Sequence, residues 1–170
     1  MSILYKEPAL QRAFYLQVFE RECTETFWEG HVRAFNFFEA VPTWISYDNT
    51  KIAVAKMLKG RDRPLTDGFL QLQSHYLFEA HFCLAARGNE KGVVERMAGY
   101  GRSNFLVPVP EVETLEELNL RLEESCRRDL KRQLRGKQKR KEGLLTEDLG
   151  KMIALPPVPF EADSKKRRPE

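Results

Sequence analysis

The sequence predicts an α/β fold, a mixed sheet flanked by helices, followed by a helical, basic C-terminal extension. Two observations predict it. Short runs rich in aromatic and β-branched residues alternate with apolar stripes at helical spacing, and this order of strand, helix, strand, helix is typical of a sheet covered by helices. Beyond this region, one long amphipathic helix leads into a run of positive charge.

The first strand and the first helix are predicted before residue 40. Ala13–Phe19, AFYLQVF, is aromatic and partly alternating, which predicts a strand. A helix should follow, with Thr24 or Thr26 as its N-cap. Its apolar stripe consists of Phe27, Trp28, His31, Val32, Phe35 and Phe38. Such aromatics can stack on the bases of single-stranded DNA, but their helical spacing favours packing in a core.

Two more strands and two more helices are predicted up to residue 84. Thr43–Tyr47, TWISY, is a β-rich run that ends directly before Asp48. Helices are predicted through Ile52–Leu58 and Phe69–Tyr76 from their apolar spacing. Phe78–Leu84 alternates apolar and other residues, which predicts a half-buried strand.

A further helix is predicted within Arg87–Arg102, RGNEKGVVERMAGYGR, and it carries Glu95. The neighbours of Glu95 on such a helix are small or basic: Lys91, Gly92, Ala98, Gly99 and Arg102. Glycine inside a helix costs about 1 kcal/mol relative to alanine, so this face suggests the close approach of a bulky anion. The alternative is a solvated Glu95 paired with Lys91 and Arg102.

The C-terminal extension begins with the clearest helix. Thr114 and Glu117 form a capping-box pattern, and one face is lined by Leu115, Leu118, Leu122, Cys126 and Leu130. Gly136 and basic residues interrupt this helix, and a last short helix should end before Pro156. The final residues have the composition of a proline-rich and basic tail.

Composition narrows the class of protein. The 170 residues suit one compact domain plus an extension. No apolar stretch is long enough to span a membrane, and the N-terminal sequence lacks a signal-peptide core, so we expect a cytoplasmic protein without a membrane partner. The three cysteines are widely spaced, which indicates reduced thiols.

Two carboxylates are candidates for metal chemistry. Asp48 should stand at the carboxyl end of a strand, where ligands bind in open α/β sheets. Glu90 and Glu95 compete for the position on the following helix. The small, basic face favours Glu95, whereas Glu90 is explained as a first-turn acid. Two such oxygen ligands suit a hard divalent cation.

Three stretches resemble the IstA-type transposases of bacterial insertion sequences: YDNTKIAV from Tyr47, SHYLFEAHFCLAARGNEKGVVE from Ser74 and NFLVPVPEVETLEELN from Asn104. The resemblance implies a ribonuclease H-like integrase core with an Asp-Asp-Glu metal site that binds Mg²⁺ or Mn²⁺. It places the second Asp of that site on Asp48 and the Glu on Glu95. The implied activity is DNA transposition and integration, and the implied partners are element ends and target DNA, an ATPase helper protein, and a homo-oligomer or a full-length transposase.

The chain departs from the family pattern at both ends, and the departure that bears on the metal site concerns its first Asp. The family's first catalytic Asp lies upstream, yet the first aspartate here is Asp48. We therefore expect a truncated core, weak or absent metal binding and no activity of the chain alone. A noncatalytic protein that binds DNA or a transposase is the alternative. The expected divisions are a non-matching segment (1–12), a partial core (13–108), a helical basic extension (109–155) and a tail (156–170).

The basic run between Arg127 and Lys141 is the strongest candidate for DNA contact, because cations that neutralise phosphates supply most sequence-independent affinity. The predicted DNA-binding residues are Lys91, Arg96, Arg102, Arg128, Lys131, Arg132, Arg135, Lys137, Lys139 and Arg140.

Overall fold

The computed structural model of the chain describes residues 3–5, 13, 15–21, 23–47, 65–82, 99–133, 136 and 138–161. Within these ranges it contains strands and helices in mixed order. They are β1 (Ile3–Tyr5), α1 (Thr24–Phe38), β2 (Trp44–Tyr47), α2 (Asp67–Tyr76), β3 (Glu79–Phe82), α3 (the helical residues 99–105), α4 (Leu115–Leu130) and α5 (Lys141–Leu149).

The three strands form one mixed sheet in the order β1-β2-β3. β1 pairs with β2 in antiparallel orientation, whereas β2 and β3 are parallel, with Ile45 opposite Ala80 and Tyr47 opposite Phe82. The predicted mixed α/β architecture is therefore confirmed at this level. The two parallel strands end in register, so the chain leaves both at the same edge of the sheet.

The apolar stripe of α1 forms the centre of the core. Phe27, Trp28, Phe35 and Phe38 are each at most 3% exposed, which confirms core packing over base stacking. Their rings meet those of α2: for example, the Phe35 and Tyr76 ring centroids lie 4.7 Å apart. The N-cap of α1 is Cys23, not Thr24 or Thr26 as predicted. Thr26 lies inside the helix, where its hydroxyl accepts a hydrogen bond from the Cys23 amide.

His31 is a buried polar residue in this aromatic core. It is fully buried, and its Nδ1 donates to the Phe27 carbonyl oxygen at 2.7 Å. Its Nε2 is then free to accept from the Tyr47 hydroxyl, 3.0 Å away. Burial away from water lowers the pKa of His31 from 6.5 to about 4, because the charged imidazolium loses its hydration.

The strand predicted at Ala13–Phe19 is wrong for the residues that the structure describes. Residues 15–19 belong to no strand. The Asn119 side chain of α4 instead bonds both the amide and the carbonyl of Val18, at 2.9 Å each. A side chain thus supplies the bonds that a neighbouring strand would otherwise make.

The extension packs on the same core. The Thr114 hydroxyl caps α4 by accepting the Glu117 amide, as the capping pattern predicts. Cys126 of α4 and Leu145 of α5 belong to the main hydrophobic cluster. The last predicted helix is present but begins at Lys141 and ends at Leu149.

Residues 150–161 return to the helices at the start of the chain. Val41 and Ile153 form an antiparallel bridge, and the Phe160 ring lies 6.3 Å from that of Trp28. His75 Nε2 donates to the Val158 carbonyl oxygen at 3.0 Å. Part of the predicted proline-rich tail is therefore packed on α1 and α2.

Two predicted elements fall on other parts of the chain. The helix at Ile52–Leu58 and the start of the helix that carries Glu95 lie outside the described residues. Among the helices that the structure describes, none combines the length and the apolar character needed to cross a membrane.

We expect the free energy of unfolding to depend on pH through His31. The unfolded chain protonates this residue near pH 6.5 and the folded chain only near pH 4, so stability is full above pH 6.5. It should fall by about 1.4 kcal/mol per pH unit between these values as the pH decreases. Urea denaturation of the wild type and of His31→Gln across this range measures the effect; parallel curves for the two proteins would contradict it.

Gly68 provides a second test of the core. A Cβ at this position would lie 2.7 Å from Cζ2 of the buried Trp28. Gly68→Ala should therefore destabilise the protein by about 1 to 3 kcal/mol from overpacking, less what alanine gains in a helix. Gly143→Ala is the matched control in α5, because its nearest heavy atom would be 3.8 Å away; thermal melts should show it unchanged or stabilised. Equal melting temperatures for both variants would refute the close approach of Gly68 to Trp28.

Candidate nucleic-acid interface

The structure describes the chain up to Tyr47, the residue before the predicted metal ligand Asp48. β2 ends at Tyr47, directly before Asp48, and Tyr47 lies opposite Phe82 at the end of β3. The chain therefore enters Asp48 from the carboxyl edge of the parallel pair, the edge where ligands bind in α/β sheets. Asp48 and Glu95 lie outside the described residues, so their metal-binding roles stay predictions.

Tyr47, the residue before Asp48, is held from several directions. It is fully buried, and its hydroxyl donates to His31. Its ring stacks on Phe82 and meets Phe69 edge-on, with centroids 5.4 Å apart in both cases. The prediction placed His31 only in an apolar stripe and missed this support. The available signal was that a buried imidazole needs a partner for each ring nitrogen.

Metal ligation within the described ranges has no ready site. No group of three or more His, Cys, Asp or Glu side chains there is arranged to hold a metal ion. The carboxylates of Asp48 and Glu95 fit Mg²⁺ or Mn²⁺ by donor type, since these hard cations bind oxygen.

The predicted DNA-binding residues divide into two sets. Those outside the described part of the chain are Lys91, Arg96, Arg135 and Lys137. Those that the structure describes are all exposed: Arg102, Arg128, Lys131, Arg132, Lys139 and Arg140. Arg102 lies on α3, and the other five flank the end of α4 and the start of α5. The structure thus gathers these five at one end of a helical hairpin.

Most of these exposed cations have polar contacts that a phosphate could replace. Arg128 donates to the Ser125 hydroxyl at 3.0 Å, and Lys139 forms an ion pair with Glu147. Arg140 lies 3.8 Å from Glu142. Exposed pairs of this kind contribute about 1 kcal/mol or less, so they compete weakly with a polyanion.

Two members of the Arg127–Lys141 run have structural roles instead. The Arg127 guanidinium lies 4.9 Å above the Phe37 ring centroid and also bonds Glu123 at 2.7 Å. Lys141 is buried in an ion pair with Asp129. The run is therefore not one uniform basic surface, and only its exposed members are accessible to a polyanion.

Tyr100 of α3 connects the two helices of this hairpin. Its hydroxyl donates to Asp129 Oδ1 at 2.7 Å and accepts from Arg132 at 3.0 Å. Burial raises the pKa of Tyr100, and the hydrogen bond to Asp129 and its negative charge raise it further. The hydroxyl therefore stays protonated and donates throughout the physiological range.

A cavity of about 340 Å³ lies between residues 15–19, α1 and α4. Its wall contains the carboxylates of Glu29, Glu116 and Glu123, with Arg33 paired to Glu29. A lining with more carboxylates than cations disfavours phosphate.

The chain is similar to several named transposases. It is 34% identical over 127 residues to a transposase of Aminobacter aminovorans, which covers 75% of this chain and 25% of that protein. It is 35% identical over 119 residues to the transposase for insertion sequences IS1326/IS1353 of Pseudomonas aeruginosa, covering 70% of this chain and 24% of the relative. The transposase for insertion sequence element IS21 of Pseudomonas aeruginosa is 34% identical over 113 residues, 66% of this chain and 29% of the relative.

All three relatives are named transposases, and two of them are named for insertion sequences, so the predicted relation to insertion-sequence transposases is confirmed at that level. The chain is homologous to one segment of them and spans about a quarter of the length of the first two. No family model matches the chain.

The exposed cations around the hairpin should set the salt dependence of DNA binding. Replacing Arg128, Lys131 and Arg140 by glutamine should flatten the slope of log affinity against log salt by about 0.9 for each phosphate that is no longer neutralised. The matched control replaces Arg33, Arg121 and Lys151, three exposed cations elsewhere, and changes net charge equally. Fluorescence anisotropy with a DNA duplex measures both; identical slopes for the two triple variants would remove this surface from the interface.

Proposed function

We propose that the chain is a segment of the catalytic core of an IstA-type insertion-sequence transposase, with a ribonuclease H-like fold. The observation that carries the proposal is the 34% identity to a transposase over 75% of the chain. The parallel pair β2–β3 supports it, because its carboxyl edge leads directly into Asp48. The similarity to transposases does not favour the noncatalytic alternative.

The proposed chemistry is metal-dependent phosphoryl transfer on DNA. Asp48 and Glu95 would hold the cation, and Mg²⁺ or Mn²⁺, when bound, supplies charge stabilisation at the reacting phosphodiester. The buried Tyr47, bonded to His31, orients the backbone that enters Asp48. The exposed cations near α4 and α5 bind the DNA backbone and so fix its position without reading its sequence.

The proposed site has two carboxylates within these 170 residues, Asp48 and Glu95, whereas the Asp-Asp-Glu site of the family uses three. Each anionic ligand strengthens binding of a hard cation, since affinity depends on charge count and geometry. The proposed partners are element ends and target DNA, the ATPase helper of the element, and further transposase subunits.

Metal binding tests the proposed pair of ligands directly. We expect weak Mn²⁺ binding by the wild-type chain in calorimetry, and affinity about tenfold or more lower in Asp48→Asn or Glu95→Gln, because each substitution removes one anionic ligand. Glu124→Gln, an exposed acid on α4, is the control and should leave binding unchanged. Equal affinity in all four proteins would contradict the assignment of Asp48 and Glu95.

A strand-transfer assay tests separately whether two carboxylates suffice for DNA joining. With only Asp48 and Glu95 as ligands, the wild-type chain should not join DNA ends with either Mg²⁺ or Mn²⁺. Efficient joining that Asp48→Asn abolishes would show that the two carboxylates suffice, and would still support the site.

A further inference from the structure

A short loop with an unusual charge joins α4 to α5. We call residues 131–140 the basic loop. It has no acidic residue and six cations: Lys131, Arg132, Arg135, Lys137, Lys139 and Arg140. Like charges confined to a short segment repel one another, so a closed conformation of such a loop needs an anchor.

The two ends of the basic loop are joined by backbone hydrogen bonds. The Lys141 amide donates to the Arg132 carbonyl oxygen at 3.1 Å, and Gln133 forms an antiparallel bridge with Arg140. Gly136 lies between them with a φ of 75°, a left-handed conformation that glycine adopts without strain. The loop is therefore closed as a hairpin at its base.

A buried ion pair lies directly beneath this closure. The side chains of Asp129 and Lys141 are only 5% and 6% exposed, and they bond each other. Tyr100 donates its hydroxyl to the other carboxylate oxygen of Asp129 at 2.7 Å, and its ring centroid lies 5.3 Å from the Lys141 ammonium. Both charges are compensated, which a buried charge requires.

The position of the pair is electrostatically unfavourable for each partner alone. Asp129 lies in the last turn of α4, at the negative end of the helix dipole, and Lys141 is the first residue of α5, at the positive end. Desolvating a buried pair also costs free energy that two packed apolar side chains would avoid. Two packed apolar side chains would therefore serve stability at least as well. The pair, however, fixes where the two ends of the basic loop meet.

We propose that the Asp129–Lys141 pair is a positioning element for DNA binding, which holds the base of the basic loop closed so that the cations described there, Lys131, Arg132, Lys139 and Arg140, meet the phosphates of duplex DNA together. The inference rests on the proposed function, because the polyanion is taken to be DNA. Lys141 is too buried to contact a phosphate itself. Its effect on binding therefore has to pass through the loop.

The test replaces the pair without changing net charge. Asp129→Leu together with Lys141→Met removes one negative and one positive charge and keeps apolar side chains in the buried site. Affinity for a random-sequence DNA duplex at low salt should fall about tenfold, and the salt slope should flatten by the equivalent of about two phosphates. Amide exchange in the basic loop should accelerate. The control, Glu117→Leu with Arg121→Met, alters an exposed pair on α4 and should change none of these.

Each outcome decides the proposal. A folded double variant with wild-type affinity and slope overturns it, and so does unchanged amide exchange in the loop. If the double variant does not fold, Tyr100→Phe decides, because it removes only the hydroxyl that bonds Asp129 and Arg132; about threefold weaker binding supports the proposal and unchanged binding overturns it. A wild-type chain without salt-dependent DNA binding would remove the proposed DNA partner as well, which separates the two failures.

Discussion

The hydrogen bond between His31 and Tyr47 is the constraint on which the rest of the core depends. It lies between α1 and β2 in a region otherwise filled by aromatic rings, and burial leaves no water to take its place. Because His31 Nδ1 is already bonded to the Phe27 carbonyl oxygen, Nε2 needs a partner outside α1, and the Tyr47 hydroxyl of β2 is that partner. Aromatic packing alone tolerates sliding, whereas this bond sets the register of α1 on the sheet and, through Tyr47, the exit of β2 towards Asp48.

Local patterns predicted much of this fold, and the errors share a physical cause. The spacing of apolar residues predicted α1, α2, β3 and α4, since one-sided burial leaves a periodic pattern in the sequence, and a β-rich run predicted β2. Ala13–Phe19 was misjudged because the group that satisfies Val18 belongs to Asn119, 101 positions away. The candidate site shows the same limit: the position of Asp48 after a strand is a local property, but the separation of buried from exposed cations depends on the pairing of Asp129 with Lys141.

The cations of this protein therefore have different roles despite similar sequence surroundings. The net charge is only +3, but the cations have different surroundings. Exposed cations converge at the end of the α4–α5 hairpin, whereas Arg127 covers Phe37 on a helical face. The exposed cations at the hairpin end supply electrostatic attraction to a polyanion, whereas Arg127 contributes packing free energy. The cavity beside residues 15–19 is lined by more carboxylates than cations, so its charge is opposite to that of the hairpin end.

The return of residues 153–160 to the first helices has a consequence for the unit that folds. Composition assigns the part of this segment from Pro156 onwards to a tail, yet Ile153 bridges Val41, and Phe160 lies against Trp28, His75 and Tyr76. Cleavage before Pro156 would expose part of the ring cluster around Trp28. Protease resistance of the folded state should thus extend through Phe160. The cooperatively folding unit includes residues 153–160, because they pack on α1 and on the segment that follows it.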